Sequence, residues 1–200
     1  MTEPVAADLV RRRLADGASL VESMLDPPCV AEIAKVAELT ADAYRSGGKL
    51  LIFGNGGSAA DAAHVAAEFV GRYLIDRPPL PAVALAANLS SVTAIGNDYG
   101  YDKVFSRQVQ ALGRPGDVAI GLTTSGRSVN VAAGLQAAAE IGLPTVAMTG
   151  ADPGPVGAAA EHRIAIPSAD TPRVQEGHML AAHTICEWVE ARLVEEATST

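Results

Sequence analysis

The chain is short of basic charge, nearly without cysteine and free of long apolar runs, and each shortage closes off a class of function. Lys and Arg number 15 against 23 Asp and Glu in 200 residues, for a net charge of −8 and a pI near 4.9. Binding along a nucleic-acid backbone draws on a clustered basic face, so no nucleic-acid partner is expected. Arg11-Arg12-Arg13 is the one basic run, and three charges inside an amphipathic segment read as a solvated helix face. Cys29 and Cys186 stand far apart and in no metal-ligand spacing, which predicts two buried thiols in a reducing compartment. The N-terminus has no apolar core of signal-peptide type, and no run approaches the roughly 18 apolar residues of a membrane span. A cytoplasmic protein without a membrane partner is the expectation. Repeats and low-complexity tracts are missing too; Arg77-Pro78-Pro79-Leu80-Pro81 is only a short proline-rich connection.

The residues that are there build a compact α/β domain. Hydrophobic content of 48% and a mean hydropathy of +0.19 supply enough apolar surface for one core. Val5 to Leu25 and Cys29 to Ser46 carry apolar residues at helical spacing, parted by Asp26-Pro27-Pro28 and closed by Gly47-Gly48. They form an N-terminal helical pair over residues 1–48, packed on a domain over 49–196. Five short apolar runs then read as strands: Leu50 to Phe53, Ala82 to Leu85, Asp117 to Leu122, Thr145 to Thr149 and Arg163 to Ile166. Helical segments or loops separate them. That alternation predicts a three-layer α/β/α sandwich around a five-stranded parallel sheet, with ligands at the carboxyl ends of the strands. A last helix runs from about Arg173 to Val194, opened by Thr171-Pro172.

Two loops carry the chemistry. Gly54-Asn55-Gly56-Gly57-Ser58 follows the first strand and opens an Ala-rich helix. Glycines bring backbone N–H groups close to a polar ligand, Ser58 is placed to cap the helix, and a helix N-terminus favours anionic or oxygen-rich ligands. His64 and Glu68, four apart, project from one face of that helix. The second loop, Thr123-Thr124-Ser125-Gly126-Arg127-Ser128, again lies between a strand and a helical run, Val129 to Ile141. Its four hydroxyls, a glycine and the free N–H groups of a helix start can cradle a phosphate, although a plain Ser/Thr cap gives the same pattern.

Both loops, with Asp61, His64 and Glu68, then Gly71-Arg72-Tyr73, Gly96-Asn97-Asp98-Tyr99-Gly100, Phe105-Ser106-Arg107 and Arg173-Val174-Gln175-Glu176 with His178 and His183, resemble the sugar isomerase (SIS) domain family and its phosphoheptose isomerases. The resemblance covers nearly the whole chain. It implies conversion of sedoheptulose 7-phosphate to D-glycero-D-manno-heptose 7-phosphate through an enediol, an early step toward nucleotide-activated heptose. It also implies Glu68 as base and His183 as acid, and one zinc ion per subunit held by His64, Glu68, Gln175 and His183. Glu68, Gln175 and His183 thus serve both ion and substrate, and a liganded carboxylate or imidazole moves protons less freely. Substrate contacts implied in the same way are Asn55, Gly56, Gly57, Ser58, Glu68, Asn97, Asp98 and Gln175 for the sugar, with Thr123, Thr124, Ser125 and Ser128 for the phosphate.

Where relatives have Asn, this chain has Arg127, whose cation either strengthens phosphate binding or points into solvent. Asp61 either orients His64 or serves as a first-turn acid on the helix dipole. His178 shares roughly one helix face with Gln175, His162 reads as a surface residue, and Trp188 as core or interface packing. The terminal helix and the N-terminal pair carry more apolar surface than one small sheet covers, which predicts a homo-oligomer. The resemblance implies a homotetramer with sites at subunit boundaries, where either His64 and Glu68 of one subunit meet Gln175 and His183 of another or Arg72 reaches across. The rival, a non-catalytic relative that binds the replication initiator protein, resembles the isomerases at both loops yet lacks the acid/base pair. A sugar-phosphate-sensing transcription regulator needs a DNA-binding domain for which length and charge leave no room.

Overall fold

The computed structural model describes residues 3–198. In chain order the elements are α1 (Glu3–Ser23), α2 (Pro27–Arg45), β1 (Leu50–Gly54), α3 (Gly57–Val70), β2 (Ala82–Ala84) and α4 (Leu89–Tyr99). A 3₁₀ turn (Tyr101–Lys103) leads to α5 (Ser106–Leu112), β3 (Val118–Leu122), α6 (Val129–Glu140), β4 (Thr145–Thr149), α7 (Gly154–Ala158), β5 (His162–Ala165) and α8 (Thr171–Thr198). All five expected strands form, within one or two residues of the expected bounds.

The sheet is parallel throughout, in the order β2-β1-β3-β4-β5. Every residue of β1, β3 and β4 is buried, because helices cover both faces and an apolar run there has no solvent side. Successive β1 side chains point to opposite layers. Leu50 and Ile52 join Val36, Phe69, Val174 and Val189 under α2, α3 and α8, while Leu51 and Phe53 join Phe105, Val109 and Leu135 under α5 and α6. From β1 the chain steps outward to β2 and then crosses back to β3. The crevice between the carboxyl ends of β1 and β3 is therefore the topological switch point, where open α/β sheets bind ligands. Both motif loops leave from these two strands. At the opposite end of the strands Asp117 accepts hydrogen bonds from Lys49 N at 2.9 Å and Arg114 N at 2.8 Å, tying β1 to β3 far from that crevice.

Two readings of single residues change. His162 begins β5 with its side chain turned inward and buried, because β5 alternates buried and exposed positions and His162 falls on the inner set. Of the two thiols, Cys186 is buried in α8 and Cys29 only half-buried near the start of α2. Burial, then the nearby Glu68 and Glu190 carboxylates, push the Cys186 thiol up to about 12, so it stays protonated and inert. The arginine run lies on the solvent face of α1, where Arg11 pairs with Asp8 and Arg13 with Asp16. Between α1, α2 and α8 an apolar groove of about 470 Å³ is lined by Met24, Leu25, Ile33, Leu180 and the partly exposed Trp188.

Candidate active site

The turn after β1 depends on glycine. Gly56 has φ +56° and caps α3, and a Cβ on Gly57 would sit 1.9 Å from Gln175 Nε2, so α8 presses its amide against the first residue of α3. Ser58, expected as the cap, lies inside the helix and is buried; the left-handed Gly56 starts the helix two residues earlier. Asn55 is held by a reciprocal amide pair with Asn130, Nδ2 to Oδ1 at 2.8 Å one way and 2.9 Å the other. Its Oδ1 also accepts the Tyr101 hydroxyl at 2.9 Å. Most of that amide's capacity is spent fixing the turn's shape.

Across the crevice three hydroxyls converge. Thr123 Oγ1 lies 3.0 Å from Ser128 Oγ and 3.4 Å from Ser125 Oγ, which in turn accepts Arg127 N at 3.2 Å. Thr124 is half-buried beside them, and Ser128 is the first flanking residue of α6. Arg127 pairs with Asp152 at 3.1 Å, both side chains well exposed, so its charge is directed to the neighbouring loop. Gly126 makes the loop possible: φ is +69° and a Cβ would stand 2.4 Å from the Asp152 carbonyl oxygen. Gly126→Ala is expected to cost about 1–2 kcal/mol from the left-handed backbone alone, and to raise KM for a sugar phosphate severalfold as the hydroxyls part. Thermal unfolding and steady-state kinetics on the variant check this; an unchanged KM would show that the loop does not hold the phosphate.

Below the glycine turn, α3 and α8 bring three ligand-type groups together. His64 Nε2 is 3.1 Å from His183 Nε2 and 3.3 Å from Glu68 Oε1, and the three donors lie within 4.8 Å of one another. Two of these spacings are close to the roughly 3.3–3.4 Å between neighbouring donors of a tetrahedral site with bonds of about 2.0–2.1 Å, so the donor set suits a small divalent ion. The Tyr73 ring stacks on the His183 ring, 5.3 Å between centroids at 28°. Burial raises the Asp61 carboxyl, with the Gln175 amide and then His64 pulling the other way. His178, by contrast, faces the core: it is fully buried with Nε2 bonded to the Thr149 carbonyl at 3.1 Å. Asn97 and Asp98 lie on the exposed face of α4, where Asn97 Nδ2 donates to Asp98 Oδ1 at 2.8 Å. Among the described residues neither is hydrogen-bonded to the cradle or to the histidines.

Sequence reasoning missed Asn130, Tyr101, Tyr73 in its stacked role, and the pair Arg77 and Glu190. A signal existed only for Asn130, an amide in the first turn of a helix that directly follows a hydroxyl-rich loop.

A parallel α/β sheet with a hydroxyl-lined loop at its switch point agrees with the family comparison, in which the model of the SIS domain matches residues 18–150. The chain is 47% identical over 184 residues to a phosphoheptose isomerase of Trichlorobacter lovleyi, covering 92% of this chain and 93% of that one. It is 51% identical over 166 residues to one of Aquifex aeolicus, covering 83% and 87%. A solved phosphoheptose isomerase from Neisseria gonorrhoeae superposes with a TM-score of 0.87 at 40% identity, over 93% of this chain and 99% of that one. The chain belongs to the phosphoheptose isomerases of the SIS domain family and is an isomerase. The regulator reading gains no support from these relatives.

Proposed function

We propose that the protein isomerises sedoheptulose 7-phosphate to D-glycero-D-manno-heptose 7-phosphate, the entry to nucleotide-activated heptose. The observation that carries this reading is the convergence of His183 of α8 with His64 and Glu68 of the helix opened by the glycine turn, together with a cluster of hydroxyls on the loop that leaves the neighbouring strand β3. Thr123, Thr124, Ser125 and Ser128 receive the phosphate at the start of α6, where free N–H groups favour an anion. Gly56 and Gly57 present backbone N–H groups to the sugar, with Asn55, Ser58, Gln175, Asn97 and Asp98 completing the walls.

Glu68 removes the proton from the carbon beside the carbonyl, while His183 protonates the carbonyl oxygen, giving an enediol. Reversal across the neighbouring carbon yields the aldose, so protons balance and no redox partner is needed. Zinc suits the His64, Glu68 and His183 donors, with the Gln175 amide as a weak fourth, and when bound it polarises the substrate oxygens. Glu68 and His183 would move protons only while not held by such an ion.

The apolar groove beside Trp188 and the exposed Val5, Leu9, Val10 and Leu14 of α1 support a homo-oligomer, which we take to be a tetramer. The free thiols fit the cytoplasm, and no helix among the described residues is long and apolar enough to cross a membrane. The test is turnover of sedoheptulose 7-phosphate by purified protein, before and after zinc loading, with the aldose product followed by NMR. Product formation is expected. A folded, zinc-loaded protein that binds the ketose but leaves it unchanged would overturn the reading.

A further inference from the structure

The groups that would do the chemistry sit on two helices, α3 and α8, that are distant in sequence, and something must fix the gap between them. Glu190, on α8 two turns beyond His183 and so on the same face, is 1% exposed. Its carboxylate accepts three successive backbone N–H groups, from Tyr73 at 2.6 Å, Leu74 at 2.7 Å and Ile75 at 2.9 Å. Arg77 Nε lies 3.1 Å from Glu190 Oε1, with the two side chains 3% and 1% exposed. The far end of the same guanidinium donates to the last turn of α3: Nη2 to the Glu68 carbonyl at 2.9 Å and Nη1 to the Phe69 carbonyl at 2.8 Å. Burial alone would raise the Glu190 carboxyl, but the three N–H groups and Arg77 together hold it below its ordinary range, so it stays charged.

One buried ion pair thus joins the end of α3, the loop 71–77 and α8. Replacing such a pair by apolar groups is often no loss of stability, so what it supplies is one fixed arrangement. Here that arrangement sets Glu68 opposite His183 and seats the Tyr73 ring on the His183 ring. We propose that Glu190 and Arg77 are positioning residues for the isomerase site, acting through Tyr73 and the backbone of Glu68. The proposal rests on the roles given above to His64, Glu68 and His183. It adds that their spacing is imposed from behind by a clamp that touches neither substrate nor ion.

The clamp predicts a particular split. The phosphate cradle lies between β3 and α6, so loosening the clamp leaves capture of the phosphate intact while the proton-transferring groups drift apart. Glu190→Gln is expected to keep KM within about twofold and to lower kcat at least tenfold; Tyr73→Leu, at a half-buried ring that does not threaten folding, should lower kcat less and with the same unchanged KM. The effects of the two substitutions should be less than additive, because they act through one contact. Zinc titrated alone into Glu190→Gln by calorimetry should bind about tenfold more weakly than to the wild type. Asp117→Asn, at the opposite end of the strands, serves as a destabilised control whose kcat stays at the wild-type value.

An active wild type whose Glu190→Gln and Tyr73→Leu variants match it in both kcat and zinc affinity would overturn the clamp. A kcat that falls equally in Asp117→Asn would do the same, by reducing the effect to general destabilisation. A wild type inactive on the ketose whose zinc affinity still falls tenfold in Glu190→Gln would overturn the proposed reaction and leave the clamp standing.

Discussion

Glu68→Gln is expected to lower kcat by about a thousandfold with little change in KM. A positioned base contributes roughly 10²–10⁴ to such a proton transfer, and the amide keeps the shape of the side chain while losing its basicity. The substitution also probes a double role, since Glu68 Oε1 is one of three donors within 4.8 Å of one another. An amide oxygen still ligates weakly, so zinc content measured on the same sample separates loss of the base from loss of the ion. Exchange gives a second readout: in heavy water the wild type should place deuterium at the carbon beside the carbonyl, and Glu68→Gln should not. Zinc retained, turnover lost and exchange lost would together mark Glu68 as the base. A variant that keeps its zinc and turns over within tenfold of the wild type would remove Glu68 from that role.

What could be read from the residues, and what could not, follows the range of the forces involved. Each of the five strands is a local event, an apolar run bounded by turn formers, and each appears at its expected place. The two loops are local as well, because a glycine turn between a strand and a helix is written in consecutive residues. Failures begin where a side chain's environment is set by segments far away. Ser58 has the composition of a cap, but the positive φ of Gly56 claims that position first. His162 looked like a surface residue until β5 paired with β4 and fixed which of its faces turns inward. Arg127 carried two readings, and the choice between them was made by Asp152, 25 positions on. The tie between Tyr73 and Glu190 spans 117 positions, and no spacing rule reaches that far. Gln175 was legible as a candidate, yet its packing against Gly57 comes only from the docking of α8 on α3.

Folding stability should fall steeply between pH 6.5 and pH 4, and one residue outside the site should account for most of the slope. His178 is fully buried in α8, donates from Nε2 to the Thr149 carbonyl, and has no partner on Nδ1 among the described residues. Burial lowers its pKa from 6.5 to about 4, against a small opposing pull from the Thr149 bond. Between those two values the unfolded chain binds a proton that the folded chain refuses, so stability rises with pH there. The stabilisation is fully present above about 6.5 and is lost as pH falls toward 4. The whole shift is worth about 3 kcal/mol, of which about 2 kcal/mol is gone by pH 5. Other groups bend this profile at its acid end. Asp61, raised by burial, works in the opposite sense, its contribution being present at low pH and lost as pH rises through its folded value. Glu190, held low, adds a loss of stability that begins as pH falls through the ordinary carboxylate range and continues down through its folded value. Urea unfolding at pH 7 and pH 5, at one fixed protein concentration because self-association would shift the midpoint, checks the expectation. His178→Gln should be less stable than the wild type at pH 7 and lose about 2 kcal/mol less on going to pH 5. A slope unchanged by that substitution would mean that the acid sensitivity resides elsewhere, with the histidines of the site the next to replace.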